Sequence, residues 1–269
     1  MSIRPEVSPE RTTYLGRLQR RRWLVLAGQI GFLLLFLLLW ELAAHLRWID
    51  PFIASQPSRV ALTLLHLHQD GSLYLHIHVT LMETFYGFIL GTGGGVLIAV
   101  LLWWSPLFNR MADPYLVVLN ALPKVALGPL LIVWLGNGSL AIIGMALFIS
   151  VIVTIISMVS GFQEVDAEKI KLLKAFGASR LQILGKVILP GSLPSMITAV
   201  KVNVGLCLVG VIMGEFLVSR AGLGYLIVYG GQVFKLDLVM SSILVLAIMA
   251  ALMYMLVSCL EGKLLRWQK

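Results

Sequence analysis

Four polar side chains stand inside otherwise apolar stretches of the sequence, where they could act on a solute or an ion. They are Glu83, Lys124, Asn203 and Glu215. A polar group at membrane depth faces protein or a water-filled cavity, because exposing it to hydrocarbon is costly. We therefore expect these residues to line a translocation pathway. Two alternatives stay open: Lys124 also fits a lysine that reaches toward the membrane surface, and Glu215 also fits a contact between helices.

The sequence offers no pattern for catalysis, metal binding or ATP hydrolysis. Four of the five histidines form two His-x-His pairs, His66 with His68 and His76 with His78, and this spacing turns the paired rings to different sides of a helix. No cysteine or carboxylate completes a metal site there. The phosphate-binding pattern G-x-x-x-x-G-K-[ST] is absent. We expect a protein that is not an enzyme and has no metal or cofactor of its own.

Composition indicates a helical membrane protein. Hydrophobic residues make up 59% of the 269 residues, charged residues 13%, and the mean hydropathy is +0.92. The net charge of +8 does not indicate nucleic-acid binding, because the basic residues lie at the ends of apolar runs rather than in one stripe. Cys207 and Cys259 both lie within apolar runs, where we expect them to pack rather than to form a disulfide.

Six apolar runs are long enough to cross about 30 Å of hydrocarbon as helices. A short loop over 105–113 is expected to join the second and third. Proline and charge interrupt the third run at Pro123, Lys124 and Pro129, which is typical of a segment that lines a cavity. The predicted spans are 23–46, 79–102, 114–135, 140–161, 195–216 and 238–260.

Small residues recur at helical spacing in two of these spans. Gly87, Gly91 and Gly95 are four residues apart in the second span, downstream of Glu83, and this spacing predicts close packing against another helix. The fifth span carries a similar face with Asn203 and Gly210.

Charge distribution predicts the orientation in the membrane. Most lysines and arginines fall in the two termini and in the loop 162–194, whereas the opposite side carries Arg47, Arg59, Arg220 and Lys235. Basic residues favour the cytoplasmic side. We therefore expect a cytoplasmic basic tail over 1–22, a transmembrane domain over 23–260, and a cytoplasmic tail over 261–269.

The loop 162–194 is the most polar stretch between two spans. Its pattern predicts a helix over 166–176, a break at Gly177, a second short helix from Ser179, and a stop at Pro190. Leu172, Leu173 and Phe176 are expected to share one side of the first helix.

Several motifs resemble the membrane subunits of binding-protein-dependent ABC importers. The run Gly-Ala-Ser-Arg at 177–180, with Leu-Pro at 189–190, is similar to the cytoplasmic loop of that family, although Lys171, Leu172 and Leu173 replace its Glu-Ala-Ala triplet. The segments 120–138 and 219–225 are also similar to that family, and in the outer loop 218–235 Gly222 and Gly224 are expected to allow a tight backbone.

This resemblance implies an all-α, six-helix permease of the type I importer class in a bacterial cytoplasmic (inner) membrane, with both termini inside. It implies two copies of an ATPase subunit that bind ATP and Mg²⁺, a second copy of this permease, and an extracytoplasmic solute-binding protein. It assigns contact with the ATPase to the loop residues Lys171, Leu172, Leu173, Phe176, Gly177, Ala178, Ser179 and Arg180.

The resemblance also implies a small polar, anionic solute such as a sulfonate, taurine or nitrate, with a pyrimidine vitamin precursor as the alternative. A different class of function stays open from the residues alone. In an ion-coupled secondary transporter or channel, Glu83, Lys124 and Glu215 would relay ions without ATP.

Overall fold

The computed structural model describes residues 9–264, and the part described is helical, without strands. The predicted all-α class is therefore confirmed. Residues 1–8 of the predicted N-terminal tail and residues 265–269 of the C-terminal tail lie outside the described residues. The chain divides into two units, Met1–Leu62 and Thr63–Lys269.

The first unit contains a long helix and a short one, and a third helix begins there. Helix α1 spans Pro9–His45, α2 spans Pro51–Ala54, and α3 spans Pro57–Gln69. Asp50 caps α2 by accepting a hydrogen bond of 2.9 Å from the N–H of Phe52. The Glu41 carboxylate accepts bonds from the N–H and hydroxyl of Ser58 at 3.0 and 2.8 Å, and so caps the first turn of α3.

The second unit holds the remaining helices. They are α4 (Ser72–Trp104), α5 (Pro106–Ala121), α6 (Gly128–Leu135), α7 (Ser139–Gln163), α8 (Ala167–Ala175), α9 (Arg180–Ile183), α10 (Leu189–Val218), α11 (Leu223–Gln232) and α12 (Leu236–Leu264).

Within the described residues, five helical stretches are long and apolar enough to cross a membrane, and a bent pair makes a sixth. The bent pair joins α5 to the segment Lys124–Leu135 at an angle of 88°. Leu122 is extended, with ψ 140°, because the ring of Pro123 disfavours helical geometry in the residue before it. The broken third span is therefore present as the sequence predicts.

The expected loop over 105–113 is wrong, because α5 begins at Pro106. Ser105 precedes the helix, and its hydroxyl accepts a bond from the N–H of Phe108 at 3.5 Å. A serine followed by proline is a helix start, since proline at the first position has no N–H to leave unpaired. Pro114 lies inside the helix rather than at its beginning.

The expected helix stop at Pro190 is also wrong. A continuous helical stretch runs over Arg180–Val218. A π turn at Leu184–Ile188 precedes the proline, and the N–H of Leu189 bonds to the carbonyl of Leu184, five residues back. This turn widens the helix where Pro190 would otherwise interrupt the hydrogen-bond ladder.

Helix α7 packs between α4 and α10, and glycine allows the close approach on both sides. A Cβ atom at Gly87 of α4 would lie 2.5 Å from the Cβ of Ala146. From the other side, a Cβ at Gly210 of α10 would lie 2.7 Å from the Ala146 Cα. In a membrane the hydrophobic effect does not drive helices together. Small residues help them associate because they let the backbones approach closely and pack well.

Candidate translocation pathway and cytoplasmic loop surface

The Glu215 carboxylate lies at the N-terminus of α11, near the outer end of α10. It accepts a bond of 2.6 Å from the Thr80 hydroxyl and one of 2.5 Å from the N–H of Gly224. Thr80 in turn accepts a bond of 2.8 Å from the N–H of Leu223. A carboxylate at a helix N-terminus pairs with open N–H groups and with the positive end of the helix dipole. Of the two roles considered for Glu215, the geometry matches the helix contact.

The two glycines before and in α11 leave room for this carboxylate. Gly222 has φ +119°, a conformation that L side chains rarely adopt, and a Cβ there would overlap the Glu215 carboxylate. Gly224 is helical, and a Cβ there would lie 2.7 Å from Glu215 Oε2. The outer loop expected over 218–235 therefore contains a helix, and Gly224 is small because of Glu215 rather than because of a turn.

His76 is part of the same contact, a role that sequence reasoning missed. Its Nδ1 accepts a bond of 2.9 Å from the N–H of Gly222, and its ring stacks on Tyr225 with centroids 6.0 Å apart. His68 pairs instead with the Tyr74 hydroxyl at 2.7 Å. The His-x-His spacing could not predict these partners, since Gly222 is far away in the sequence and Tyr74 belongs to the next helix, α4.

Glu83 lies one turn from Thr80 in α4 and is 4% exposed. Its carboxylate has Ser139 and Glu215 as hydrogen-bonding neighbours, at a looser geometry than the direct bonds that Glu215 accepts. It borders a cavity of 390 Å³ at the outer ends of α4, α7 and α10, whose polar lining also includes Asn137, Ser139, Ser219 and Arg220.

Asn203 lies in the interior of the second unit and links three helices. Its amide nitrogen donates to the Thr92 hydroxyl of α4 at 3.1 Å and to the Thr154 hydroxyl of α7. Its side-chain oxygen is buried and has no partner among the described residues. Asn203 therefore holds α10 to its neighbours within the membrane.

Lys124 lies at the break in the third span. Its ammonium donates to the carbonyl and side-chain oxygens of Asn120 at 3.2 and 3.1 Å. The four predicted pathway residues thus do not meet at one site. Glu83 and Glu215 adjoin each other at the outer side, whereas Asn203 and Lys124 lie in separate environments.

The loop after α7 forms two short helices with capped ends. The Asp166 carboxylate caps α8 by accepting a bond of 2.8 Å from the N–H of Glu168. Gly177, with φ +77°, turns the chain between the two helices. Ser179 and Gln182 form a capping box at the start of α9. The predicted helix, break and second helix are therefore present.

Apolar side chains of this loop divide between the core and the surface. Leu172 and Phe176 are exposed, Phe176 to 80%, whereas Leu173 and Ala178 pack on a buried cluster that includes Phe162. The expected single side with Leu172, Leu173 and Phe176 is wrong for Leu173. Adjacent residues of a helix differ by about 100° in direction, so one of the two leucines turns inward.

Two polar contacts hold the loop to the membrane helices. Arg180 donates to the carbonyl oxygen of Trp104, the last residue of α4, at 3.1 Å. At the other end, Ser195 of α10 donates to the Glu164 carboxylate at 2.9 Å. The loop therefore has fixed positions relative to both α4 and α10.

Comparison with known proteins places this architecture among transport proteins. The family model described as "Binding-protein-dependent transport system inner membrane component" matches residues 91–267. A putative aliphatic sulfonates transport permease protein of Bacillus subtilis, SsuC, is 28% identical over 230 residues, covering 86% of this chain and 83% of that protein. The taurine transport system permease protein TauC of Escherichia coli is 28% identical over 246 residues, 88% of each chain.

One further relative is named for a different solute, and one solved structure shares the fold. The formylaminopyrimidine transport permease protein ThiX of Halalkalibacterium halodurans is 24% identical over 238 residues, covering 88% of this chain and 94% of that protein. Among solved structures, an inward-facing MetNI methionine ABC transporter matches with a TM-score of 0.67 at 19% identity, covering 74% of this chain and 98% of the matched chain.

Proposed function

The chain belongs to the family of binding-protein-dependent transport system inner membrane components and is a permease subunit of an ABC importer in the bacterial inner membrane; from this premise, we propose that it carries a small sulfonate-type solute. The names of two relatives support this solute class, and the formylaminopyrimidine relative makes a pyrimidine the alternative. ATP and Mg²⁺ bind to a separate ATPase subunit, and this chain supplies the membrane pathway.

The exposed Phe176 is the observation that carries the coupling part of the proposal. An aromatic side chain that is 80% exposed, at the C-terminal cap of a short lysine-rich helix, forms an apolar projection from a polar surface. Buried aromatic anchors surrounded by polar contacts dominate protein interfaces. Phe176 and Leu172 therefore insert into the ATPase subunit, and the charged residues Lys171 and Lys174 surround them.

The contacts that anchor the loop explain how a movement of the ATPase subunit at Phe176 is transmitted to the membrane helices. Leu173 and Ala178 pack on the buried cluster, while Arg180 holds α4 through its last carbonyl. Movement of the loop thus carries the inner ends of α4 and α10 with it, as a rigid body rather than as a flexible tether.

Two permease chains form the complete pathway. Each chain carries one such loop, and a pair of ATPase subunits requires two docking surfaces. A solute-binding protein delivers the cargo at the outer side, where the cavity beside Glu83 lies.

Uptake into proteoliposomes tests the proposal. The permease is reconstituted with its ATPase subunit and solute-binding protein, and uptake of radiolabelled taurine, ethanesulfonate and formylaminopyrimidine is followed with ATP inside. Sulfonate uptake that needs ATP and both partners supports the proposed function. If only formylaminopyrimidine is taken up, the solute is a pyrimidine and not a sulfonate. If the permease alone takes up solute under an ion gradient, transport is driven by ions and not by ATP.

A further inference from the structure

A groove at the cytoplasmic end of α4 combines aromatic and basic side chains. It has a volume of 260 Å³ and lies where the end of α4 and the start of α5 meet the loop helices α8 and α9. Of the residues that line it, Trp103 and Ile170 pack on a buried cluster, whereas Lys174 and Arg180 are exposed. None of the described lining residues is acidic. The groove therefore has an apolar inner side and a positively charged opening.

No described residue neutralises the two basic side chains of the groove. Neither Lys174 nor Arg180 forms an ion pair within the described part of the chain. Arg180 donates to the carbonyl oxygen of Trp104 at 3.1 Å, and its guanidinium group carries further N–H donors. Pro106, the first residue of α5, adds the positive end of a helix dipole. The groove thus favours an anion that accepts several hydrogen bonds.

The groove lies at the depth of the lipid headgroups. Trp103 and Trp104 end a membrane-spanning helix on the side where most basic residues lie, and their ring centroids are 6.3 Å apart. Tryptophan concentrates at this boundary, because its ring is apolar and its N–H is polar. Leu107 and Phe108 follow on α5 and are 67% and 65% exposed, so an apolar surface begins beside the groove. A molecule with an anionic head and apolar chains matches both surfaces.

We propose that the groove binds the phosphate of an anionic phospholipid from the cytoplasmic leaflet, with Lys174 and Arg180 as its partners. Basic pockets on the cytoplasmic side of membrane helices suit anionic headgroups. The volume of 260 Å³ is below the range of about 300–1,000 Å³ that encloses a whole small molecule. The headgroup therefore enters the groove, while the acyl chains stay in the membrane against Leu107 and Phe108. The identity of the transported solute does not affect this site.

The groove and the proposed ATPase contact lie on different sides of α8. Ile170 and Lys174 are about one helical turn apart, and both line the groove. Leu172 lies about half a turn from each of them and is 55% exposed. An ATPase subunit bound at Leu172 and Phe176 therefore leaves the groove open to lipid. The bound lipid then lies between the loop and α4, beside the hydrogen bond that already joins them.

Lipid binding to the assembled complex tests this site. The permease–ATPase complex in non-ionic detergent is titrated with phosphatidylglycerol or with phosphatidylcholine of the same acyl chains, and native mass spectrometry counts the lipids bound. The wild-type complex should bind phosphatidylglycerol more tightly. Lys174→Ala should weaken that binding about fivefold, the usual contribution of one basic residue near an anionic headgroup, and leave phosphatidylcholine binding unchanged.

Lys171→Ala is the matched control. Lys171 belongs to the same helix, is also exposed and also flanks the proposed ATPase contact, but it does not line the groove. Its removal should leave phosphatidylglycerol binding at the wild-type level. Lys174→Arg keeps the charge and should retain most of the affinity. The mass of the intact complex in the same spectra shows whether each variant remains assembled.

Four results would overturn the inference. Equal wild-type affinity for the two lipids would show that the headgroup charge is not recognised, and an equal loss in Lys174→Ala and Lys171→Ala would show a general effect of surface charge. Displacement of phosphatidylglycerol by inorganic phosphate at a similar concentration would make the groove a site for a free anion. A preference that is present in the permease alone and absent from the complex would mean that the ATPase subunit covers the groove. The proposed function is judged separately, by ATP-dependent solute uptake.

Discussion

Arg180 of the cytoplasmic loop donates a hydrogen bond of 3.1 Å to the carbonyl oxygen of Trp104, which ends α4. The last carbonyls of a helix have no intrahelical partner, and a guanidinium group pairs with them while also matching the negative end of the dipole. The contact spans 76 residues of sequence. It fixes the loop against a helix that also carries Glu83 and the glycines facing α7.

We expect Arg180→Ala to uncouple ATP hydrolysis from uptake. The loop would still present Phe176 to the ATPase, but its movement would no longer be transmitted to α4. Uptake per ATP hydrolysed should fall several-fold, measured as the ratio of solute uptake to phosphate release in proteoliposomes. Lys186→Ala is the control, since Lys186 is another basic residue of the loop 162–194 but lines a different groove, together with Glu164 and Asp166. An equal fall in both variants would indicate a general effect of positive charge.

Phe176→Ala should weaken binding of the ATPase subunit while leaving the fold of the permease intact. Phe176 is 80% exposed, so its truncation removes little buried area within this chain. An interface anchor of this kind typically contributes about 2 kcal/mol or more, which corresponds to a loss of about 30-fold in affinity. Biolayer interferometry between the permease in nanodiscs and the isolated ATPase measures this directly.

Leu140→Ala is the matched control for that measurement. Leu140 is 69% exposed and lies at the outer end of α7, away from the loop. Its truncation should leave the affinity unchanged. If Phe176→Ala binds the ATPase as tightly as wild type does, Phe176 is not the anchor.

Gly91→Ala should destabilise the packing of α4 on α7. A Cβ atom at Gly91 would overlap the Ser150 hydroxyl, and α7 cannot withdraw because Gly210 of α10 closes on its other side. Overpacking of this kind costs about 1–3 kcal/mol. The midpoint of thermal unfolding in detergent should fall, and Ser150→Gly in the same chain should restore most of it.

The same helix provides an internal control. A Cβ at Gly93 or Gly94 would meet nothing within 4 Å. Alanine at either position should be neutral or slightly stabilising, because alanine is favoured over glycine inside a helix by about 1 kcal/mol. If Gly94→Ala lost as much stability as Gly91→Ala, the cost would arise within α4 itself and not from its contact with α7.

Periodicity and composition were sufficient to predict the spans, the broken third helix and the glycine spacing, because each depends on residues close in sequence. The failures at Pro106 and Pro190 have a shared cause. Proline begins a helix in the first case and follows a π turn in the second, and its effect depends on the hydrogen bonds of the preceding turn. A proline alone therefore does not mark a helix end.

Long-range partners could not be predicted from the sequence. Glu83 and Glu215 both stand out as carboxylates in apolar runs, yet Glu215 caps α11 while Glu83 adjoins Ser139 and Glu215 itself. The difference arises because the chain turns at Gly222 and returns the N–H of Gly224 to Glu215. Lys201 similarly meets Glu261 at 2.5 Å, a pairing that needs α10 and α12 side by side.

Thr80→Val should destabilise the N-terminus of α11, although threonine and valine have nearly the same shape. The Thr80 hydroxyl donates to Glu215 and accepts from the N–H of Leu223, so its removal leaves two buried groups unsatisfied. Each such group costs about 1–3 kcal/mol. We expect faster hydrogen exchange at the amides of Leu223 and Gly224, measured by mass spectrometry of the complex in nanodiscs.

Thr84→Val separates this effect from the loss of any buried hydroxyl. Thr84 is also fully buried, one turn further along α4, but its hydroxyl bonds only to the carbonyl of Thr80 in its own helix. Exchange at Leu223 and Gly224 should therefore remain at the wild-type rate in Thr84→Val. Equal acceleration in both variants would mean that α4 as a whole, rather than the contact between Thr80 and Glu215, holds α11 in place.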